Sequence, residues 1–163
     1  MKERGFTLVE LLVTTSIILL FAAIIFPNFN LGEKNLALER SAVKLAQDLG
    51  RAREMAMSVR EFTGAPPTFK GAYGIKFAVN SFDYILFADL NDDQIFNSGE
   101  AVETISLEKN IEISALLPFS PLMVIFTPPD PAINISETAV ITLANGSRTK
   151  NIKVNKAGLI NVE

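Results

Sequence analysis

Three stretches with different apolar periods divide this chain. From Leu11 to Gly32 there are 22 positions without a charged residue, and Ile17 to Phe26 is an unbroken apolar run. At about 1.5 Å per residue such a stretch makes a helix of roughly 33 Å, enough to cross a bilayer core. From Glu33 the pattern becomes amphipathic. Leu38, Ala42, Leu45, Leu49, Ala52, Ala56 and Val59 alternate spacings of four and three, with Arg40, Lys44, Gln47, Asp48, Arg51 and Glu54 off that stripe. A stripe of this kind is expected to dock on the chain's own sheet. Between the halves, Pro27-Asn28-Phe29-Asn30-Leu31-Gly32 is a weak helix former. One helix from about Phe6 to Arg60 is expected, softly broken near Pro27 and ended by Gly64-Ala65-Pro66-Pro67.

Beyond the prolines the period drops to two. Strands are expected at Tyr73–Val79, Phe82–Leu90, Val102–Leu107, Ile111–Leu116, Leu122–Thr127, Ala139–Leu143, Asn151–Val154 and Leu159–Val162. Asn80-Ser81 and Lys109-Asn110 read as hairpin turns, and Ala157-Gly158 starts another. The fold class is therefore α+β, with one long helix packed on a C-terminal antiparallel sheet or small sandwich.

Composition narrows the chemistry. The 163 residues include no Cys, no His and no Trp. Disulfides, thiolate metal sites, Ser-His-Asp and Cys-His catalysis and histidine-zinc chemistry are all excluded. With no nucleophile motif either, the chain reads as a non-enzyme that requires no cofactor. A net charge of −3 and a pI near 5.1 give no global pull toward nucleic acid or anionic lipid.

The acid Glu10 stands out, because a lone carboxylate at the edge of an apolar span is costly and usually has a partner. Lys2 and Arg4 precede the span, which by the positive-inside rule keeps the N-terminus cytoplasmic and sends the rest across. A cleaved signal peptide fits poorly, since the small residues Ala22-Ala23 lie inside the greasy run instead of after it. A plain anchor leaves Gly5-Phe6 and Glu10 unexplained.

The string Gly5-Phe6-Thr7-Leu8-Val9-Glu10-Leu11-Leu12-Val13 resembles the processing motif of type IV prepilins and pseudopilins. That resemblance implies a leader of residues 1–5 removed after Gly5 by a prepilin peptidase, and N-methylation of the new terminal Phe6 by the same kind of enzyme. It implies that Glu10 pairs with the terminal amine of a neighbouring subunit, and that Pro27 is the helix-kinking proline. It gives a pilin-like lollipop: a transmembrane helix half at 6–32, an amphipathic half at 33–62 and a β-rich head at 63–163. The location implied is the bacterial inner membrane, single-pass, with the head periplasmic or outside, and then a pilus or pseudopilus. The partners implied are the peptidase, other pilins, an inner-membrane assembly platform and membrane lipid. More weakly, Val124-Ile125-Phe126-Thr127-Pro128, Val140–Leu143 and the Ile152…Val162 hairpin are similar to the H-type minor pseudopilins of type II secretion and related minor pilins.

Two further features carry candidate chemistry. In Asp89-Leu90-Asn91-Asp92-Asp93-Gln94-Ile95-Phe96-Asn97-Ser98-Gly99-Glu100, the side-chain oxygens of Asp89, Asn91, Asp93 and Glu100 and the carbonyl of Ile95 have EF-hand-like spacing for Ca²⁺. Gln94 stands where that loop uses Gly, and the flanks read as strands, so a solvated turn stapled by Asx side chains is the competing reading. The paired carboxylates do not suggest hydrolysis, because a hairpin tip offers no cleft. Arg148, Lys150, Lys153 and Lys156 form a cationic stretch that could contact DNA phosphates, or simply protect a sheet edge. Three functions follow: a structural minor pseudopilin or pilin subunit, a DNA-binding minor pilin of natural transformation, and a surface adhesin-type minor pilin.

Overall fold

The computed structural model describes residues 5–163, with the backbone alone for 26–31. The leader residues Met1–Arg4 and the side chain of Pro27 therefore lie outside the described residues. Helix α1 runs Leu8–Met57, and the helical assignment continues through residues 26–31. The chain divides into two compact units, Met1–Asn35 and Leu36–Glu163. The amphipathic part of α1, expected as a segment of its own at 33–62, thus belongs from Leu36 onward to the head unit.

In the first unit, every large apolar side chain between Leu8 and Ile25 is exposed. This segment is long and apolar enough to cross a membrane. It also contains Thr14, Thr15 and Ser16, whose hydroxyls donate to the carbonyls of Glu10, Leu11 and Leu12 at 2.9, 2.9 and 2.8 Å. Their polarity is satisfied within the helix, which removes most of the penalty of carrying them into an apolar medium.

The second unit packs two antiparallel sheets against the buried face of the rest of α1. Strands β1 (Tyr73–Phe77), β2 (Asp83–Ala88), β3 (Ala101–Ser106), β5 (Leu122–Thr127) and β6 (Asp130–Ile133) form one sheet in the order β3-β2-β1-β5-β6. Strands β4 (Glu112–Leu117), β7 (Ala139–Ala144), β8 (Thr149–Val154) and β9 (Ile160–Val162) form the other, in the order β4-β7-β8-β9. Eight of these match expected strands to within a few residues. The ninth, β6, contains Pro131 and follows Pro128-Pro129, which is why alternation did not reveal it. A proline has no ladder donor, and β6 accommodates one because it lies at a sheet edge.

Asn80 and Asn110 both adopt left-handed backbone, as turn asparagines do. Lys109-Asn110 is not a hairpin, however. β3 pairs with β2 whereas β4 pairs with β7, so this turn passes the chain between sheets. The β8–β9 hairpin is as expected. At its tip Gly158 has φ +75, and a Cβ there would lie 2.2 Å from the Pro131 carbonyl oxygen. Only glycine fits that approach.

The core forms where the helical stripe meets the inner faces of both sheets. Leu38, Ala42, Leu45, Leu49, Ala52 and Ala56 are buried and join Tyr73, Ile75, Leu86, Val124, Ile141 and Ile152 in one cluster. The stripe thus docks on the chain's own sheets as expected, with one exception. Val59 is 54% exposed and lies beyond the helix. The Arg60 amide donates to Met55 O at 3.0 Å and that of Val59 to Ala56 O at 2.9 Å, around a left-handed Val59 with φ 46. This is a Schellman C-cap, and it stops α1 well before the Gly-Pro-Pro segment expected to end it.

The helix's polar flanks are tied to the same sheets. Arg40 meets Glu108 at 2.7 Å, Arg51 meets Glu103 at 2.8 Å and Glu39 meets Lys150 at 2.9 Å. The Tyr84 hydroxyl donates to Asp48 at 2.6 Å, and Arg53 donates to the Gly158 carbonyl at 3.0 Å. Exposed ion pairs contribute little each. Together they fix the rotation of the helix that the apolar stripe already dictates.

Candidate functional site

At the chain's start, Thr7 and Glu10 flank the first turn of α1. The Thr7 amide and hydroxyl both donate to Glu10 Oε2, at 3.0 and 2.8 Å, and the Glu10 amide donates back to Thr7 Oγ1 at 3.3 Å. This is a capping box, in which two otherwise orphaned amides at the helix start are satisfied reciprocally. Its sequence sign, Thr-x-x-Glu before an apolar run, lies in plain view inside the processing string, but the assembly role expected for Glu10 hid it. Gly5 and Phe6 lie immediately before the cap, and Phe6 is exposed.

The loop between β2 and β3 holds the expected calcium ligands. Asp89 and Glu100, at its two ends, are only 1% and 4% exposed. Asp89 Oδ2 accepts the Gln94 amide at 2.9 Å and Oδ1 the Asp93 amide at 3.2 Å. Glu100 accepts the amides of Leu90 and Asn97 at 3.0 and 2.6 Å, one on each oxygen. Asp93 Oδ1 accepts the Ile95 amide at 2.8 Å, and its Oδ2 takes the side-chain amides of Asn91 and Asn97 at 2.9 and 2.8 Å. Asp92 and Gln94 adopt left-handed backbone, and Asp92 pairs with Lys70.

Each carboxylate here closes the loop on its own amides. Burial pushes the Asp89 carboxyl above its ordinary range, against the pull of the amides it accepts. The Ile95 amide holds Asp93 below its own. Among the described residues no three acidic side chains are gathered as a metal-holding group. Asp89, Asn91, Asp93, Ile95 and Glu100 therefore share one loop, whose three carboxylates among them accept the loop's own amides. Phe96 fastens the middle of the loop to the outer face of the five-stranded sheet. It packs edge-on to Phe87 at 5.5 Å and lies under the Lys76 ammonium at 4.7 Å. With Ala72, Ile125 and Met123 these rings make a second, smaller apolar cluster that alternation along single strands did not predict.

The four cations near the C-terminus do not form one surface. Lys150 turns to the helix side, where it meets Glu39, while Lys153 pairs with Glu163 at 2.6 Å. Strict alternation puts positions 150 and 153 on opposite faces of β8. Arg148 lies in the β7–β8 turn, where Asn145 Oδ1 accepts its amide at 2.8 Å, and Lys156 lies in the β8–β9 connection.

Comparison with known proteins agrees with the N-terminal geometry. Residues 1–26 match the family described as the prokaryotic N-terminal methylation motif. Over the whole of both chains the sequence is 28% identical to the pilin-like protein PilA1 of Thermus thermophilus. No solved structure matches.

Proposed function

Taking a type IV pilin-like chain as the premise, we propose that it is a structural fibre subunit, a minor pseudopilin or pilin held in the inner membrane until its N-terminal helix packs into a pilus or pseudopilus. The observation that carries this is the start of α1: a capped helix whose apolar side chains from Leu8 to Ile25 are exposed, within the residues that match the methylation motif. Such a surface needs either lipid or other helices around it. A motif of this kind implies processing by a prepilin peptidase and assembly with other pilins. In the finer reading the peptidase cuts after Gly5, Phe6 becomes the N-methylated terminus, and Glu10 receives a neighbour's terminal amine. Pairing the two relieves the penalty of holding either charge alone in an apolar bundle.

The head then serves as a rigid load on the helix and has no catalytic part. Its buried acids, Asp89 and Glu100, are hydrogen-bond acceptors for the loop's own backbone. The division of the four cations between two faces of β8 and two different connections favours a structural subunit over a DNA-binding one, since phosphate tracking needs cations along one groove. Intact mass and N-terminal analysis of the protein from cells with an active prepilin peptidase test the reading. The expected mature chain begins at Phe6 and carries one added methyl group. A terminus near Ala23, or an unprocessed chain, overturns it.

A further inference from the structure

The capping box at Thr7 and Glu10 has two geometric properties that bear on assembly. Every atom of it lies after Phe6, so a cut between Gly5 and Phe6 removes none of them: the Thr7 amide remains the amide of the Phe6–Thr7 bond. A cap made in the precursor therefore persists in the processed chain. In addition, both Thr7 donors converge on a single oxygen, Oε2, at 3.0 and 2.8 Å, and the other oxygen, Oε1, receives neither.

We infer that Thr7 is a positioning residue for subunit pairing: it pins Glu10 through Oε2 so that Oε1 is offered to the terminal ammonium of a second copy or a related pilin. This rests on the reading above in which Glu10 accepts a neighbour's amine. An unpinned glutamate must give up several rotamers when it pairs, whereas a pinned one has already lost them in the folded helix. A carboxylate that accepts two local hydrogen bonds is also not left bare while the subunit waits in the membrane. The threonine hydroxyl is central because it acts in both directions, donating to Oε2 and accepting the Glu10 amide at 3.3 Å.

The full-length chain, produced in its native host in place of the wild type, tests this with four variants. Fibre incorporation is measured as the share of correctly processed chain found in the sheared fibre fraction, with processing read separately by mass. Thr7→Val keeps the shape and loses the hydroxyl, and its incorporation is expected to fall about tenfold, the size of one lost cap. Thr7→Ser restores the hydroxyl and is expected to assemble like the wild type. Thr7→Asp separates helix capping from positioning. Aspartate starts a helix well and keeps the backbone amide bond to Oε2, but its side chain cannot donate to Glu10 and places a like charge beside it, so its incorporation is expected to fall as far as that of Thr7→Val. Normal incorporation of Thr7→Asp overturns the inference and leaves Thr7 as a helix cap alone. Glu10→Gln is the control on the parent reading. If it assembles normally, Glu10 is not the pairing group and both ideas fail; if it fails while Thr7→Val assembles normally, the positioning role alone falls.

Discussion

Tyr84 shows how one side chain on β2 couples the sheet to the helix. Its ring is buried and its hydroxyl donates to Asp48 on α1 at 2.6 Å. Burial first, and the Asp48 bond second, raise the phenol far above its ordinary value of 10.0. A group whose folded pKa is raised contributes stability that is complete below its unfolded pKa and is lost as the pH climbs past it. The head is therefore expected to weaken above roughly pH 10, where an unfolded tyrosine ionises and the buried one does not. Tyr84→Phe should cost about 1 kcal/mol at neutral pH through the lost hydrogen bond. Denaturant melts repeated at increasing pH should show that deficit shrinking above the same point, because phenylalanine has no proton to lose. A deficit constant across the alkaline range would mean that the phenol is not held neutral by the fold. Val59 carries a different lesson at this scale. Its apolar character continued the heptad stripe, yet the backbone there is left-handed, a conformation costly for a β-branched residue, and the hydrogen bonds of the C-cap override it.

At the scale of elements, the loop from Asp89 to Glu100 is held at both ends by buried acids and in the middle by Phe96. Glu100→Gln replaces one acceptor oxygen with a donor and leaves the Leu90 or Asn97 amide without its partner, which should lower stability by about 1–3 kcal/mol. Because the carboxylates already accept the loop's amides, melting curves in EDTA, millimolar Ca²⁺ and millimolar Mg²⁺ are expected to coincide. A melting temperature that rises with calcium alone, and no longer does so in Glu100→Gln, would make the loop an ion site. Spacing in the sequence identified which oxygens share this loop. It did not reveal that Asp89 and Glu100 are buried and that the carboxylates accept the loop's own amides, since that depends on turns at Asp92 and Gln94 made without glycine. The helix was more legible: the stripe from Leu38 to Ala56 predicted both its course and its buried face. β6 was illegible because its prolines mimic a loop, and the partner of β4 because alternation gives a strand's faces and says nothing of its neighbours.

For the molecule as a whole, the division between Asn35 and Leu36 separates a membrane-compatible segment from a unit with its own core. A fragment comprising 36–163 contains the buried helical stripe, both sheets and every helix-to-sheet tie described above. It is expected to be a soluble protein with one cooperative unfolding transition. Loss of cooperativity, or aggregation at micromolar concentration, would show that the head depends on the preceding segment for stability. Within this unit, Leu49→Ala would remove a fully buried side chain from the centre of the cluster, a change that typically costs about 2–5 kcal/mol.

The sheet edges have a consequence if the chain joins others of its kind, as proposed above. Two sheets leave four outer strands, β3, β6, β4 and β9, each with the unpaired backbone groups of a template for another chain's strand. β6 is barred by proline, β9 is only three residues long, and the pairings that hold β3 and β4 are both interrupted by irregular register. Features of this sort blunt runaway strand addition. Under the function proposed above, a subunit at high local density in a membrane would face the disordered, amyloid-like route to a filament as much as the ordered one. With its β edges blunted and its apolar helix exposed, a chain with the proposed function is left with a single productive direction of growth.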